Sequence, residues 1–350
     1  MRVLMIGPAR SVHGGISAMV NNFYASGLGE QVKLAYIATM VDGSKGRKLI
    51  QAVFAYFRFL SILPFYRVLH VNMAADASYY RKKIFIDTAW LFRKKILLHE
   101  HGGDFEGFYY KRCNEKQRIG IQRTFARADL VLVLSESWKE FFRPIVDADR
   151  IHVLQNGIII PTQGKKDYGS HSILFLGRIC KEKGIGELLE AVPVIQKEIP
   201  DFKLILGGIW EDGNEELKEK AKAFPKAVHC PGWVSGQKKE KYIEECSIFV
   251  LPSWFEGQPV SLLEAMAAGM CTVATEVGGI PQIMGSEEEV TGILLPPHNS
   301  EKLAKILNML LKDEGLRKRM GQNARQRVQD QYNIKDNVRS LTRYYDLLEG

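Results

Sequence analysis

Short apolar runs alternate with longer stretches of helical period along most of the chain. In the first half, Val3–Ile6, Val32–Ile37, Val68–Val71, Lys95–Leu98, Leu130–Leu134 and Ile151–Leu154 read as strands. Gly15–Ala25, Lys48–Leu63, Ser78–Arg93 and Glu115–Ala126 read as the helices between them. Alternation of this kind predicts a parallel sheet with helices on both faces. From Gln155 to His171 the pattern stops at Asn156-Gly157, Pro161, Gly164 and Gly169, which marks an interdomain linker.

A second series then begins. Ser172–Leu176, Lys203–Leu206, Val228–Cys230, Ile248–Leu251, Thr272–Ala274 and Gly292–Leu295 read as strands. Ile185–Lys197, Glu215–Ala223, Lys239–Glu245, Val260–Ala268 and Glu301–Leu311 read as helices, and Leu316 to Leu348 as a helical tail. The expected fold is therefore α/β, with two doubly wound domains in tandem: residues 1–160, joined by the final helix 334–350, and residues 161–333. Ligands of such sheets lie beyond the carboxyl ends of the strands, so the glycine-rich strand ends of both domains are expected to face a central cleft.

The length of 350 residues suits two domains of roughly 100–200 residues each. The net charge of +8 is uneven: residues 1–165 hold 24 Lys and Arg against 13 Asp and Glu, while residues 166–350 hold 24 against 27. A basic first half points to an acidic partner, either a membrane surface or a phosphorylated substrate. Its basic residues are dispersed and carry no nucleic-acid-binding motif, so no nucleic-acid partner is expected. The five cysteines, Cys113, Cys180, Cys230, Cys246 and Cys271, form no CxxC pair, which excludes a zinc framework and fits a reducing compartment. The run at Val3–Ile6 is too short for a signal peptide, and no stretch of about 18 apolar residues appears. A cytoplasmic protein is expected. Arg47 to Tyr66 is basic, aromatic and amphipathic. It reads as a core helix or as a segment lying at the inner face of an anionic membrane.

The segment Phe249-Val-Leu-Pro-Ser-Trp-Phe-Glu-Gly-Gln-Pro-Val-Ser-Leu-Leu-Glu-Ala carries the sharpest chemistry. A strand ends, a loop presents Glu256, and a helix begins at Pro259 with the N–H groups of Val260 and Ser261 free to bind an anion. Glu264 lies two helical turns beyond Glu256, within reach of a ribose. In Phe175-Leu-Gly-Arg-Ile-Cys-Lys-Glu-Lys-Gly, Arg178 and Lys183 are fixed cations suited to the charge that accumulates on a leaving diphosphate. Val12-His-Gly-Gly-Ile-Ser opens a helix, and Gly14 and Gly15 would let backbone amides approach a phosphate or sugar. Ile96-Leu-Leu-His-Glu-His-Gly-Gly-Asp ends a strand on His99 and His101. Asp147-Ala148-Asp149 spells a metal-binding D-x-D, but it precedes a strand rather than ending one and reads as a loop.

These motifs resemble those of the family 4 glycosyltransferases, which have the two-Rossmann-domain GT-B fold and retain anomeric configuration. Glu256 and Glu264 match the family's E-x7-E pair, Arg178 and Lys183 its G-R-x4-K-G segment, and Gly278-Gly279-Ile280-Pro281 a further conserved-looking cluster. The resemblance implies that Glu256, Gln258 and Pro259 meet the donor sugar. Gly14, Gly15, Arg178, Lys183, Val234, Val260, Ser261 and Glu264 would meet the nucleotide diphosphate. His101, followed by Gly102, would stand near the reacting carbon. Pro259 departs from the glycine common there and supplies no N–H. The implied activity is transfer of a hexose or related sugar from a nucleotide diphosphate, UDP by preference, to a glycan or lipid-linked acceptor in polysaccharide biosynthesis. No metal and no cofactor is implied. A nucleotide-sugar epimerase of the same fold and a non-catalytic nucleotide-sugar-binding subunit are the alternatives.

Overall fold

The computed structural model describes residues 1–162, 164 and 166–349; nothing is said of the Lys45 and Glu287 side chains. The side chain of Lys45, just before the amphipathic segment Arg47 to Tyr66, lies outside the described residues. The chain divides into two compact units, Met1–Ile159 with the segment from Ile334 onward, and Ile160–Asn333.

The first unit runs β1 (Arg2–Pro8), α1 (Gly15–Ala25), α2 (Leu28–Gln31), β2 (Lys33–Met40), α3 (Lys45–Ile62), β3 (Val68–Met73), α4 (Ala77–Leu91), β4 (Lys95–Glu100) and a single turn α5 (Phe105–Gly107). It continues with α6 (Glu115–Phe125), β5 (Leu130–Val133), α7 (Glu136–Phe142) and β6 (Ile151–Val153). Six strands form one sheet in the order β2-β1-β3-β4-β5-β6, and every pairing is parallel. Parallel strands covered on both faces must be apolar throughout; β1 is buried from Val3 to Pro8 and β3 along its whole length. Side chains of α3, α4 and α6, such as Phe59, Phe85 and Phe125, complete this core with 0–2% exposure.

The second unit runs β7 (Ser172–Leu176), α8 (Ile185–Glu198), β8 (Lys203–Gly207), α9 (Glu215–Lys222), β9 (Val228–Gly232), α10 (Gly236–Glu245), β10 (Ile248–Leu251) and α11 (Val260–Ala267). Then follow β11 (Cys271–Thr275), α12 (Ile280–Met284), β12 (Gly292–Leu295), α13 (Ser300–Lys312) and α14 (Glu314–Gln331). Its sheet is also parallel, in the order β12-β11-β10-β7-β8-β9. The order reverses between β7 and β10. That reversal opens a crevice at the carboxyl ends of these two strands. Buried Arg317 of α14 donates to the Tyr168 carbonyl at 2.9 Å and fastens the helix to the segment that precedes β7.

The tail holds two helices. After α14 the chain breaks at Tyr332-Asn333, and α15 (Ile334–Leu347) packs on the first unit. The Ile334 N–H donates to the Ile158 carbonyl at 3.0 Å, and Asn337 donates to the Gln155 carbonyl. Buried Tyr345 meets His70 Nδ1 at 2.6 Å.

Among the described residues one helical segment, Gly46–Phe65, is long and apolar enough to cross a membrane by length and composition. The sequence pattern, with no run of about 18 apolar residues, predicts none. Ala55 and Phe59 lie in the core of the first unit, while the opposite face of α3 is exposed.

Candidate functional site

The reversal point of the second sheet gathers the charged residues singled out from the sequence. After β7 the chain leaves through Gly177 and Arg178, makes a 3-10 turn at Lys181–Lys183, and enters α8 at Gly184 with φ 70°. A side chain at Gly184 would overlap the Pro252 carbonyl oxygen, and the Trp254 N–H donates to the Glu182 carbonyl at 2.9 Å. The loops after β7 and β10 are therefore packed against each other, and Lys183 is delivered to Glu256. Lys183 Nζ donates to Glu256 Oε1 at 2.5 Å, with side-chain exposures of 17% and 11%. The same carboxylate oxygen accepts from Ser253 Oγ at 2.8 Å.

Gly278 and Gly279 support this loop from the other side. Gly278 has φ 54°, and a side chain there would overlap the Glu256 carbonyl oxygen. The Gly279 N–H donates to the Gly257 carbonyl at 2.7 Å. The double glycine lets the chain after β11 lie directly on the backbone that carries Glu256.

Pro259 is the residue before α11 rather than its first residue, with φ −71° and ψ 118°. The expected helical first-turn proline is corrected by one position, and Val260 opens the helix. Among the described residues no side chain caps this start and no acidic residue stands in its first turn. The N–H groups of Val260 and Ser261 belong to the unsatisfied set at a helix start. Gln258 is buried at 4% exposure just ahead of them.

Two further cations are held by carboxylates. Arg178 Nη1 donates to Glu211 Oε1, and Lys239 Nζ of α10 donates to Glu264 Oε1 at 2.7 Å. Arg178 keeps a side-chain exposure of 55%. Neither Glu211 nor Lys239 was singled out from sequence, since each partner lies 25 or more positions away. Val234, after β9, is buried against Gly207, and Trp233 is 36% exposed. Cys180, Glu182 and Glu211 bring potential ligand atoms within 4.8 Å of one another, with Glu211 also engaged by Arg178.

In the first unit, Gly14 is the residue before α1, and both Gly14 and Gly15 are exposed with open space where a side chain would stand. His101 follows β4. Its backbone N–H donates to the Met73 carbonyl at 2.9 Å, and its Nε2 meets Asn72 Oδ1 of β3 at 3.0 Å. Asn72 Nδ2 donates to the Ile6 carbonyl at 3.3 Å, so its oxygen faces the ring. Nε2 then carries the proton and Nδ1 is the acceptor. Burial, with His99, His70 and Lys82 nearby, holds the His101 pKa well below 6.5. The imidazole is neutral at pH 7. A side chain at Gly102 would crowd Glu100 Oε1 and the Ala75 backbone.

Behind His101 lies a buried polar column. His99 is 1% exposed, its ring 3.9 Å from that of His101, and burial pushes its pKa down to about 3. Burial raises the Glu100 carboxyl and lowers Lys82 to about 7, so each is driven toward its neutral form. Asp147, of the D-x-D triplet, pairs with Arg150 at 3.2 Å on the turn leading into β6.

Two parallel six-stranded doubly wound units, with charged loops at the reversal point of the second, make up the GT-B fold. Residues 159–327, just under half of the chain, match the family described as glycosyl transferases group 1. An uncharacterized glycosyltransferase of Methanocaldococcus jannaschii is 34% identical over 49% of this chain and 43% of its own length. The amylovoran biosynthesis glycosyltransferase AmsK of Erwinia amylovora is 28% identical over 71% of this chain and 63% of its own. The chain thus spans less than two thirds of both relatives. The crystal structure of Anabaena Alr3699/HepE in complex with UDP-glucose has the same fold, with a TM-score of 0.79, 15% identity and coverage of 99% of both chains.

Proposed function

We propose that this protein transfers a sugar from a nucleotide diphosphate, UDP by preference, to a glycan or lipid-linked acceptor in polysaccharide biosynthesis. The observation that carries the reading is the meeting of Lys183, Glu256 and the uncapped start of α11 at the reversal point of the second sheet, with Arg178 beside them. The name of the Erwinia relative supports polysaccharide biosynthesis, and the UDP-glucose bound in the Anabaena protein supports the donor class.

In this reading the diphosphate lies on the Val260 and Ser261 amides, where donors and helix dipole favour an anion. Arg178 leaves Glu211 and Lys183 leaves Glu256 as the phosphates arrive. Glu256 then accepts from hydroxyls of the donor sugar together with Gln258, and Glu264 accepts from the ribose. Val234 lies against the base. The bond between the anomeric carbon and the diphosphate oxygen breaks, and its electron pair leaves with the nucleotide. The acceptor oxygen bonds to that carbon with retention, and its proton passes to the departing phosphate. Arg178, Lys183 and the helix start offset the charge that develops there, so no metal is required. In the first unit, neutral His101, its tautomer fixed by Asn72, is the proposed catalytic side chain. Gly14 and Gly15, which neither packing nor backbone angle constrains, admit a phosphate or sugar to the start of α1. The protein works in the cytoplasm, consistent with five free cysteines, four of them buried.

Thermal-shift titration with UDP and UDP-sugars, with and without EDTA, tests the donor and the metal together. Stabilisation by UDP that survives EDTA is expected. Turnover of a donor to free UDP only when acceptor is present separates a transferase from an epimerase and from a binding subunit. No stabilisation by any nucleotide would overturn the reading.

A further inference from the structure

The first unit carries an apolar face that its own fold leaves uncovered. Along α3, Leu49, Ile50, Val53, Phe54 and Phe57 are 66%, 61%, 47%, 71% and 66% exposed. At 100° per residue they span an arc of about 140°. Ala55 and Phe59, on the opposite side, are 3% and 0% exposed and fix the helix to the core. Phe65 just beyond α3, and Trp90, Leu91 and Phe92 at the end of α4, add four more exposed side chains at 52% or above. The two helices are joined by the Tyr56 and Thr88 hydroxyls at 2.9 Å, and Lys94 Nζ donates to the Pro64 carbonyl at 3.2 Å. The end of α4 therefore lies beside α3 in the fold.

Its border is cationic. Arg47 and Arg58 are exposed along one edge of the α3 arc, and Phe65 and Phe92 share a concave rim with Arg67, Arg93 and Lys94. Counted from the sequence, residues 1–159 and 334–350 hold 26 Lys and Arg against 16 Asp and Glu. An exposed aromatic and aliphatic face ringed by Arg and Lys matches an interface between headgroups and acyl chains, where apolar area and attraction to anionic lipid add together. A symmetric contact with a second copy would set the same cationic border against itself.

We propose that the α3–α4 face of the first unit is a membrane-docking surface that lies in the headgroup region of a bilayer containing anionic lipid. α3 lies on the bilayer and does not span it, because Ala55 and Phe59 stay in the core. This goes beyond the glycosyl-transfer reading and does not depend on it.

Flotation of the full chain with vesicles of phosphatidylcholine alone, or with phosphatidylglycerol added, tests the proposal at low and high salt. The protein is expected to float with the phosphatidylglycerol vesicles, and Trp90 emission to shift to the blue, a shift that W90F lowers. The triple variant Phe54→Ser, Phe57→Ser, Leu91→Ser changes only exposed positions. It is expected to lose about tenfold or more in partitioning at unchanged thermal stability. Arg58→Glu with Arg93→Glu is expected to remove the preference for anionic lipid. No flotation at low salt, or equal flotation of the triple variant, would overturn the proposal. So would light scattering that finds a dimer abolished by the triple variant without any vesicle binding, which assigns the face to a second copy. UDP titration of the same variants reads the second unit separately.

Discussion

Replacing Lys183 by Met separates the structural and the binding roles of the Lys183–Glu256 pair. The pair is 2.5 Å long and five-sixths or more buried on both sides. Removing one partner of a fully buried pair costs about 3–5 kcal/mol, because the other charge is left desolvated. Here Ser253 still donates to Glu256, and a tenth of the carboxylate side chain reaches water. The cost therefore falls to about 2 kcal/mol. For a unit of this size, 1 kcal/mol moves Tm by about 2–4 °C, so K183M should melt about 4–8 °C lower. The double variant K183M/E256Q has no stranded charge and should recover at least half of that loss. Both variants should bind UDP about 10–100-fold more weakly, since a charge-assisted contact to the diphosphate is gone. The assays are thermal unfolding without nucleotide and isothermal titration with UDP. Additive Tm losses in the cycle would refute the stranded-charge argument, and unchanged UDP affinity would refute the cation's role at the diphosphate.

Gly278→Ala should lower stability by about 2 kcal/mol or more, because its φ of 54° and the Glu256 carbonyl both reject a side chain. Gly15→Ala, open at the same atom, should leave Tm unchanged, and thermal unfolding checks both. Arg178→Ala should weaken UDP binding about tenfold with little change in Tm, since its side chain is 55% exposed. His99 is buried neutral with its pKa down to about 3, so the unfolded chain binds the extra proton below pH 6.5 and stability falls as pH falls through that value. The loss is about 1 kcal/mol between pH 6.5 and 5.5. His99→Leu should remove that increment in urea unfolding at the two pH values, and it sacrifices no hydrogen bond found among the described residues.

Both sheets were legible in the sequence because buried parallel strands are apolar on both faces, and β7, β10 and β12 run over the stretches read from it. Short α7 and α12 were not, since seven and five residues hold too little of a helical period. The final helix, expected over 334–350, runs over Ile334–Leu347. At the candidate site, Glu256, Glu264, Arg178 and Lys183 stood out by motif, but the partners of Arg178 and Glu264 did not. Glu211, after β8, meets Arg178 and Lys239 of α10 meets Glu264, and nothing local to either marks them. Asn72 and His99 belong to strands that are buried along nearly their whole length, and a polar residue in an apolar run gives no sign of what it meets. The exposed face of α3 was half visible: the amphipathic pattern showed, but not which side the core would take.

The return of α15 to the first unit has a bearing on how the polypeptide is made. The β-sheet of that unit leaves the ribosome early, but the tyrosine that satisfies His70 and the asparagine that closes over Gly157 are translated only after all of Ile160–Asn333. The second unit can mature while the first still waits, its hydrophobic seat for Val338 and Leu341 open to water. A stalled or truncated chain would release a completed carboxyl-side unit tethered to an unfinished amino-side one. For a nascent chain, the vulnerable interval lasts until α15 has emerged.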